Sequence, residues 1–311
     1  MKKIIITMIT ALTVLSSCKD YHHVEWHEET AVNVRFEWDR ANPEGVETMS
    51  LYVFSETGSP YAYDFGNITG GKLPLAPGIY KTTALNINND VIDVVTDKYE
   101  TSYITTNSTS LLALMNYSGM AAPPVPSGEV PQSVRMQPYA LYADTCSTLR
   151  GDDENLVMHP MSMVDTINVR INNINNLDRV EAITAAISGL SAGLSISTLT
   201  PIEDPCIMPF DLTIAGEGTA VGRLLVFRRT KKEESGEPEP ATENMMNVYA
   251  IMDDGSKYYY SFDVTDELND TDEETSEVQI DIPSLPLPKP TGGGFQPALG
   301  NWEEIKEDIE L

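Results

Sequence analysis

Cysteines are the residues of this chain whose type most directly allows covalent chemistry, because a thiolate is a strong nucleophile. Cys146 and Cys206 lie in the body of the sequence, whereas Cys18 follows a short hydrophobic stretch near the N-terminus. One pair of cysteines does not make a disulfide framework. Cys146 and Cys206 therefore either form a single disulfide or remain as two free buried thiols.

Residues 1–17 have the composition of a signal peptide. Lys2 and Lys3 precede a hydrophobic run of twelve residues, 4–15, which is too short to span a bilayer as a stable helix. Ser16 and Ser17 then precede Cys18, and this order resembles the lipobox of bacterial lipoprotein precursors. The resemblance implies cleavage before Cys18 and acyl chains such as palmitate on that residue, and more than one chain anchors a protein durably.

The charge of the chain limits its partners. The formal net charge is -27 at pH 7, and a surface of this sign repels phosphate groups. We therefore expect no nucleic acid partner. The hydrophobic content of 41% is typical of a folded globular chain.

Residue patterns typical of catalysis or metal binding are missing from the sequence. His22, His23 and His27 fall in a polar stretch, 18–29, that we interpret as a tether, and His159 is the one histidine after it. A general base needs a nucleophile and an orienting partner, and no G-x-S-x-G motif is present. The acidic residues between 263 and 277 lack the order of a calcium-binding EF-hand loop. We expect no enzymatic activity, no cofactor and no metal site.

Alternating hydrophobicity predicts β-strands through most of the chain. Residues 31–38, 167–171 and 278–282 alternate apolar and polar side chains, which is the period of a half-buried strand. A Pro-Gly turn at 77–78 separates two further strands. Residues 177–190 place apolar side chains at helical spacing, which favours a short helix over a strand.

The strands fall into two runs separated by a small, charged stretch. We predict an all-β fold of two antiparallel β-sandwich domains in tandem with at most one short helix. The N-terminal domain covers 30–145, a linker covers 146–155, and the C-terminal domain covers 156–311. The segment 303–311 alternates again and follows a Gly-rich stretch, so it is predicted to pair within its own domain or with a neighbouring molecule.

Several motifs together resemble the fimbrillin superfamily of Bacteroidales lipoproteins, which build type V pili. These are the leader ending LSSC, the strand VRFEW, the stretch PGIYKTTALNINND, the segment INVRINNINNLDRVEAITAAISGLSAG and the tail GGGFQPALGNWEEIKEDIEL. The chain is most similar to minor subunits and anchors of that superfamily. The resemblance implies transthyretin-like sandwiches, attachment to the outer membrane through Cys18, and assembly with other fimbrial subunits by β-strand addition. It also marks Arg40, after the first strand, as a position for proteolytic processing.

The sequence therefore predicts a lipid-anchored fimbrial accessory or anchor subunit on the cell surface. The alternative is a surface glycan-binding lipoprotein, in which exposed aromatic side chains stack on sugars. The candidate residues for that role are Tyr61, Tyr63, Tyr258, Tyr259 and Tyr260. No residue pattern identifies a host receptor or a glycan.

Overall fold

The computed structural model describes residues 30–56, 58–87, 90–115, 121–126, 131–229, 243–269, 276–290 and 301–306. The predicted signal peptide 1–17, Cys18, the tether 18–29 and the last five residues of the tail lie outside this part of the chain. No helix within these residues is long and apolar enough to cross a membrane.

Ten strands build the N-terminal half. They are β1 (Thr30–Phe36), β2 (Ser50–Ser55), β3 (Tyr61–Asp64), β4 (Gly70–Leu75), β5 (Ile79–Leu85), β6 (Ile92–Val95), β7 (Tyr103–Thr106), β8 (Ser133–Val134), β9 (Tyr142–Arg150) and β10 (Asn155–Met158). Their alternating apolar side chains face inward, as the sequence period requires.

The C-terminal half contains ten further strands, one turn of 3-10 helix and one short α-helix. The strands are β11 (Met161–Ser162), β12 (Val164–Ile171), β13 (Val180–Ser191), β14 (Gly193–Ser195), β15 (Pro205–Gly216), β16 (Thr219–Phe227), β17 (Met245–Met252), β18 (Lys257–Asp263), β19 (Glu277–Ile282) and β20 (Glu303–Glu304). The 3-10 turn is Leu177–Arg179, and the helix α1 is Thr265–Asn269. The all-β prediction is confirmed.

The N-terminal sandwich packs a three-stranded sheet, in the order β10-β1-β4, on a five-stranded sheet, in the order β11-β9-β5-β2-β3. Val34, Leu51, Leu73 and Leu149 lie among the buried residues of the core between them. In the C-terminal sandwich β15 belongs to two layers, because its first part pairs with β13 and its last part with β16. One layer continues as β13-β17-β18-β20 and the other as β16-β12-β19.

The five-stranded sheet is buried on both faces. Leu51 and Val53 of β2 point into the N-terminal core, whereas Phe54 of the same strand and Leu85 of β5 belong to the core of the C-terminal sandwich. β14 of the C-terminal half also pairs with β7 of the N-terminal half. The two sandwiches therefore share one wall, and their hydrophobic cores depend on each other.

The structure corrects the predicted linker over 146–155. Residues up to Arg150 belong to β9, and β10 begins at Asn155 and pairs with β1. The stretch looked like a linker because its side chains are small or charged. Most of these side chains are exposed, at the end of β9 or in the turn 151–154, while Leu149 fills the core. The N-terminal sandwich needs β10, which follows the predicted boundary at residue 145.

The predicted helix over 177–190 is also wrong. Only Leu177–Arg179 form a helical turn, and β13 runs from Val180 to Ser191. β13 lies between two neighbours, with Ile187 in the larger core and Ala186 in a smaller one on the opposite face. A strand buried on both faces has a continuous apolar sequence, so its period does not distinguish it from a helix.

The sheets contain parallel as well as antiparallel pairs, whereas the prediction had antiparallel pairs only. Within the described residues β1 with β10, β12 with β19, β15 with β8 and β18 with β20 pair in parallel. Each of these pairs joins strands that are distant in sequence. Such pairings are not specified by the local turns that produce antiparallel hairpins.

The shared wall predicts that the two sandwiches unfold together. Replacing Leu85, which is fully buried in the larger core, with Ala should lower the free energy of unfolding by about 2–5 kcal/mol. Ile79→Ala changes an exposed position of the same strand and should stay within about 0.5 kcal/mol.

Denaturant unfolding followed by tryptophan fluorescence and by circular dichroism measures both effects. We expect one coincident transition that Leu85→Ala shifts as a whole. Two separated transitions, of which Leu85→Ala moves only one, would contradict the shared core.

Candidate functional site

β1 is the central strand of the three-stranded sheet. It runs parallel to β10, with Val34 opposite Leu156, and antiparallel to β4, with Val32 opposite Leu73. Val32, Val34 and Phe36 are buried in the core, whereas the side chains between them face solvent. β1 therefore fills a slot between two strands that do not pair with each other.

The Val32, Val34 and Phe36 side chains of β1 occupy three positions in the core beneath this slot. Full burial of a Val or Phe side chain contributes about 1.5–3 kcal/mol, as an upper estimate. Without β1, the facing edges of β4 and β10 would present unpaired N–H and C=O groups beside those positions. An open edge of this kind is a template for another extended strand.

Gly70 lets β4 approach β1 closely. It has a φ of 101°, and a Cβ atom at this position would lie 2.2 Å from the backbone oxygen of Val34. A side chain at this position would therefore push β4 away from β1. The sequence analysis missed this residue, because a Gly-Gly pair is equally typical of a turn.

Three contacts hold the segment that follows β1. The Trp38 indole N–H donates to the backbone oxygen of Ile68 at 2.8 Å, and the Tyr142 hydroxyl donates to the backbone oxygen of Asn42 at 2.8 Å. Between them, His159 Nδ1 lies 2.8 Å from an Asp39 carboxylate oxygen. The hydrogen bond with His159 holds the pKa of Asp39 below its ordinary value.

Arg40 lies on the surface inside this segment, next to Asp39. The surrounding contacts fix residues on both sides of it, so the Arg40 side chain is presented from a held loop. Arg40 remains a predicted processing position. His159, the one histidine after the predicted tether, connects this segment to the residues that follow β10 through its contact with Asp39.

The described part of the C-terminal tail pairs with its own chain. Glu303 and Glu304 of β20 lie opposite Tyr258 and Tyr259 of β18, and the Ile305 N–H donates to the Tyr259 backbone oxygen at 3.0 Å. The Trp302 ring meets Tyr249 edge to face at 5.6 Å. The first of the two predicted pairing modes is therefore present in residues 303–306.

Most of the tyrosines proposed for glycan stacking pack against other side chains of the protein. Tyr260 is buried, and its hydroxyl donates to the backbone oxygen of Pro286 at 2.7 Å. Tyr63 meets Phe65 edge to face at 5.1 Å, and Tyr258 and Tyr259 are half-buried against the cores. Tyr61 is 44% exposed and remains the one broadly accessible ring of the five.

The structure decides between the two alternatives for the cysteines. Cys146 and Cys206 are both free thiols. Cys206 is fully buried in the larger core, and burial raises the pKa of its thiol to about 12. Cys146 is half-buried beside the N-terminal core. The five-stranded sheet separates these two cores, which is why the thiols do not pair.

Metal ligands do not gather in the part of the chain that the structure describes: no group of three or more His, Cys, Asp or Glu side chains could hold an ion there. His22, His23 and His27 lie outside that part. The candidate site is therefore β1 together with its two partner strands β4 and β10, whose N–H and C=O groups pair with it.

A family model described as a domain of unknown function, DUF5119, matches residues 17–211, which is more than half of the chain. The chain belongs to the DUF5119 family. No curated protein matches it by sequence. The matched region of this DUF5119 protein includes β1, its partner strands β4 and β10, and the shared wall.

Solved structures resemble the DUF5119 chain over most of its length. A candidate adhesin from Bacteroides ovatus has a TM-score of 0.67 at 16% identity, with 89% of this chain and 99% of that chain covered. A candidate polysaccharide-binding protein (DUF1812) from Bacteroides thetaiotaomicron has a TM-score of 0.51 at 12% identity, with 82% and 90% covered. The fimbrial anchor protein Mfa2 from Porphyromonas gingivalis has a TM-score of 0.49 at 15% identity, with 81% and 89% covered.

These similarities establish the fold of the DUF5119 chain. The candidate adhesin and the candidate polysaccharide-binding protein share this fold with the chain.

The close approach at Gly70 predicts a local weakening of β1. Gly66 also has a positive φ, of 65°, but a Cβ atom at Gly66 would meet no other atom within 4 Å, so Gly66→Ala should cost only about 1–2 kcal/mol of backbone strain. Gly70→Ala adds the collision with Val34 and should destabilise the protein more.

Hydrogen exchange distinguishes the two variants. The Phe36 N–H donates to the Thr69 backbone oxygen at 3.1 Å, and it should exchange faster in Gly70→Ala than in Gly66→Ala. Equal exchange at Phe36 in both variants would show that β4 does not hold β1 through this contact.

The two thiols should differ in reactivity. In a Cys18→Ala variant at pH 8, a maleimide should label Cys146 in the folded protein but label Cys206 only after unfolding, because a buried thiol with a pKa of about 12 forms almost no thiolate. Peptide mapping by mass spectrometry measures both sites. Equal labelling of the two cysteines before unfolding, or a peptide cross-linked through them, would refute the observed packing.

Proposed function

We propose that this chain is a lipid-anchored fimbrial accessory or anchor subunit of the outer membrane surface, and that it assembles with other subunits by β-strand addition. The observation that carries the proposal is the position of β1. It is a central strand from the N-terminal end of the described chain, it supplies three buried side chains, and its partners β4 and β10 do not pair with each other.

The proposed membrane attachment also involves the N-terminal end of the chain. Acylated Cys18 would be joined to β1 by residues 18–29, so the strand that fills the groove is also the strand nearest to the lipid. A pull on the anchor is then transmitted to the core through the side chains of β1. An intact β1 suits an anchor or accessory role, in which the subunit stays attached.

Proteolytic processing after Arg40 would allow the chain to accept a strand from another subunit. The cut would separate β1 from the rest of the chain, and the strand would then be held only by its hydrogen bonds, its three buried side chains and the contacts of Trp38 and Asp39. A subunit that loses β1 offers its groove to an extended segment of a neighbour. The likeness to the adhesin fold supports a role on the cell surface for either form.

The C-terminal segment 303–311 is the proposed pairing element of this subunit. Glu303 and Glu304 form a parallel pair with β18, and an extended conformation of this kind is what strand addition needs. Ile305, Ile309 and Leu311 repeat apolar side chains along it.

The alternative function, a glycan-binding surface lipoprotein, is favoured by the likeness to the candidate polysaccharide-binding protein. It would depend on Tyr61, since the other four tyrosines pack inside the protein or against its cores. Sugar sites of surface proteins usually combine several exposed rings with polar groups. Fimbrial assembly therefore remains the leading proposal.

Deletion of residues 303–311 tests the two functions against each other. In cells that make surface fibres, the tagged full-length chain should co-purify with other fibre subunits, and the deletion should reduce this at least tenfold while glycan retention stays unchanged. Tyr61→Ala is the matched control for the glycan function. Loss of glycan retention in Tyr61→Ala, with unchanged co-purification after the deletion, would favour the alternative.

The same cells test lipid anchoring and processing at the N-terminal end of the chain. Cys18→Ala should move the protein from the membrane fraction to the soluble fraction, and an unchanged distribution would remove lipid anchoring from the proposal. Mass spectrometry of the N-terminus shows whether the chain is cut after Arg40, with Arg40→Ala as the uncleavable control. An intact acylated N-terminus under all conditions would exclude processing and leave the anchor role.

A further inference from the structure

One end of the N-terminal sandwich gathers two loops around the start of β1. Thr30, the first residue of β1, lies opposite Leu75, the last residue of β4. The Asn33 N–H donates to the backbone oxygen of Glu154, just before β10. The β4–β5 connection and the β9–β10 connection therefore both lie where the chain enters the sandwich.

The β4–β5 connection is an exposed, uncharged loop. We call residues 76–79 the basal loop; they are Ala76, Pro77, Gly78 and Ile79, and all four are exposed. Ile79 is 57% exposed, the largest exposure among the large hydrophobic residues of the described chain. These four exposed neighbours carry no charge and therefore form an uncharged patch on a chain whose net charge is -27.

The basal loop is held in place by its neighbours. The Tyr80 hydroxyl donates to the Ala76 backbone oxygen at 3.0 Å, and the Gly151 N–H donates to the Gly78 backbone oxygen at 2.9 Å. A Cβ atom on Gly151 would lie 2.1 Å from the Ala76 oxygen, so only glycine allows the two loops to touch. The exposure of Ile79 is thus a feature of a fixed loop.

We propose that the basal loop contacts the surface of the membrane that holds Cys18, with the Ile79 side chain in the boundary between headgroups and acyl chains. This inference rests on the proposed lipid anchor. The twelve residues 18–29 between the anchor and β1 reach at most about 40 Å when extended. They keep this end of the sandwich nearest to the bilayer and raise the local concentration of the contact.

The charges at this end specify how the contact is made. Arg150 lies opposite Ile79 in the sheet, but Asp152 and Glu154 are also exposed in the adjoining loop. These carboxylates oppose any attraction to anionic lipids. The contact therefore depends on the apolar side chains and the tether. On uncharged phosphatidylcholine membranes it should be insensitive to salt, and anionic lipid should weaken it.

A fluorescent label tests this orientation in the full-length acylated chain. In a Cys146→Ser background, Ile79→Cys and Ile214→Cys variants are labelled with an environment-sensitive dye. Ile214 is a matched control because it is 51% exposed and belongs to the β15–β16 hairpin of the C-terminal half. The proteins are then reconstituted on phosphatidylcholine vesicles that contain a lipid with a nitroxide near its headgroup.

We expect the nitroxide lipid to quench the dye at position 79 at least threefold more than the dye at position 214, with no change when salt is raised. Proteins that float with the vesicles but show equal quenching at both positions would overturn the orientation and leave the anchor intact. Proteins that do not float with the vesicles would overturn the anchor and the inference together. Shielding of the dye at position 79 without quenching by the lipid would assign the loop to a protein partner and would also overturn the inference.

Discussion

The five-stranded sheet β11-β9-β5-β2-β3 has apolar side chains on both faces, and both faces must be covered. One face is covered by the small sheet that contains β1, and the other by the C-terminal sandwich. Apolar surface left in water on either side would cost about 25 cal/mol per Å². Neither half of the chain can therefore be regarded as an independent domain.

The three-stranded sheet β10-β1-β4, which covers one of these faces, is the more unusual of the two covering layers. A three-stranded sheet whose central strand comes from the N-terminal end of the described chain, and whose outer strands are separated in sequence, has no local turn that closes it. Its stability depends on the close fit of β1 between β4 and β10. Removal of β1 would leave N–H and C=O groups of both β4 and β10 unpaired.

The titratable, aromatic and thiol side chains mostly hold the fold together. Titratable residues near β1, such as Asp39 and His159, hold a backbone segment in place. The aromatic residues are largely packed, and the thiols are free and separated by the wall. An acidic surface keeps such a protein soluble and disfavours non-specific adhesion to anionic membranes. A lipid anchor would then determine which end of the molecule faces the bilayer.

Local periodicity was enough to predict much of this architecture. The alternation in residues 31–38, 167–171 and 278–282 corresponds to β1, β12 and β19, because side chains of a half-buried strand must alternate between core and solvent. The sequence also led to the fold family, through the order of several loose motifs. Burial on both faces removed that alternation in β13, and the segment was therefore mistaken for a helix.

Only the tertiary structure decided which strands are neighbours. The parallel pairing of β1 with β10 places residues 33 and 155 side by side, and no local pattern records a contact over such a separation. Glycine is needed at Gly70 and Gly151 because backbone atoms of other segments lie close to both positions. Cys146 and Cys206 are separate because the five-stranded sheet lies between the two cores. The sequence by itself determined the strands with alternating side chains and the acidic character of the chain. The groove, the shared wall and the basal loop exist only because folding brings distant segments into contact.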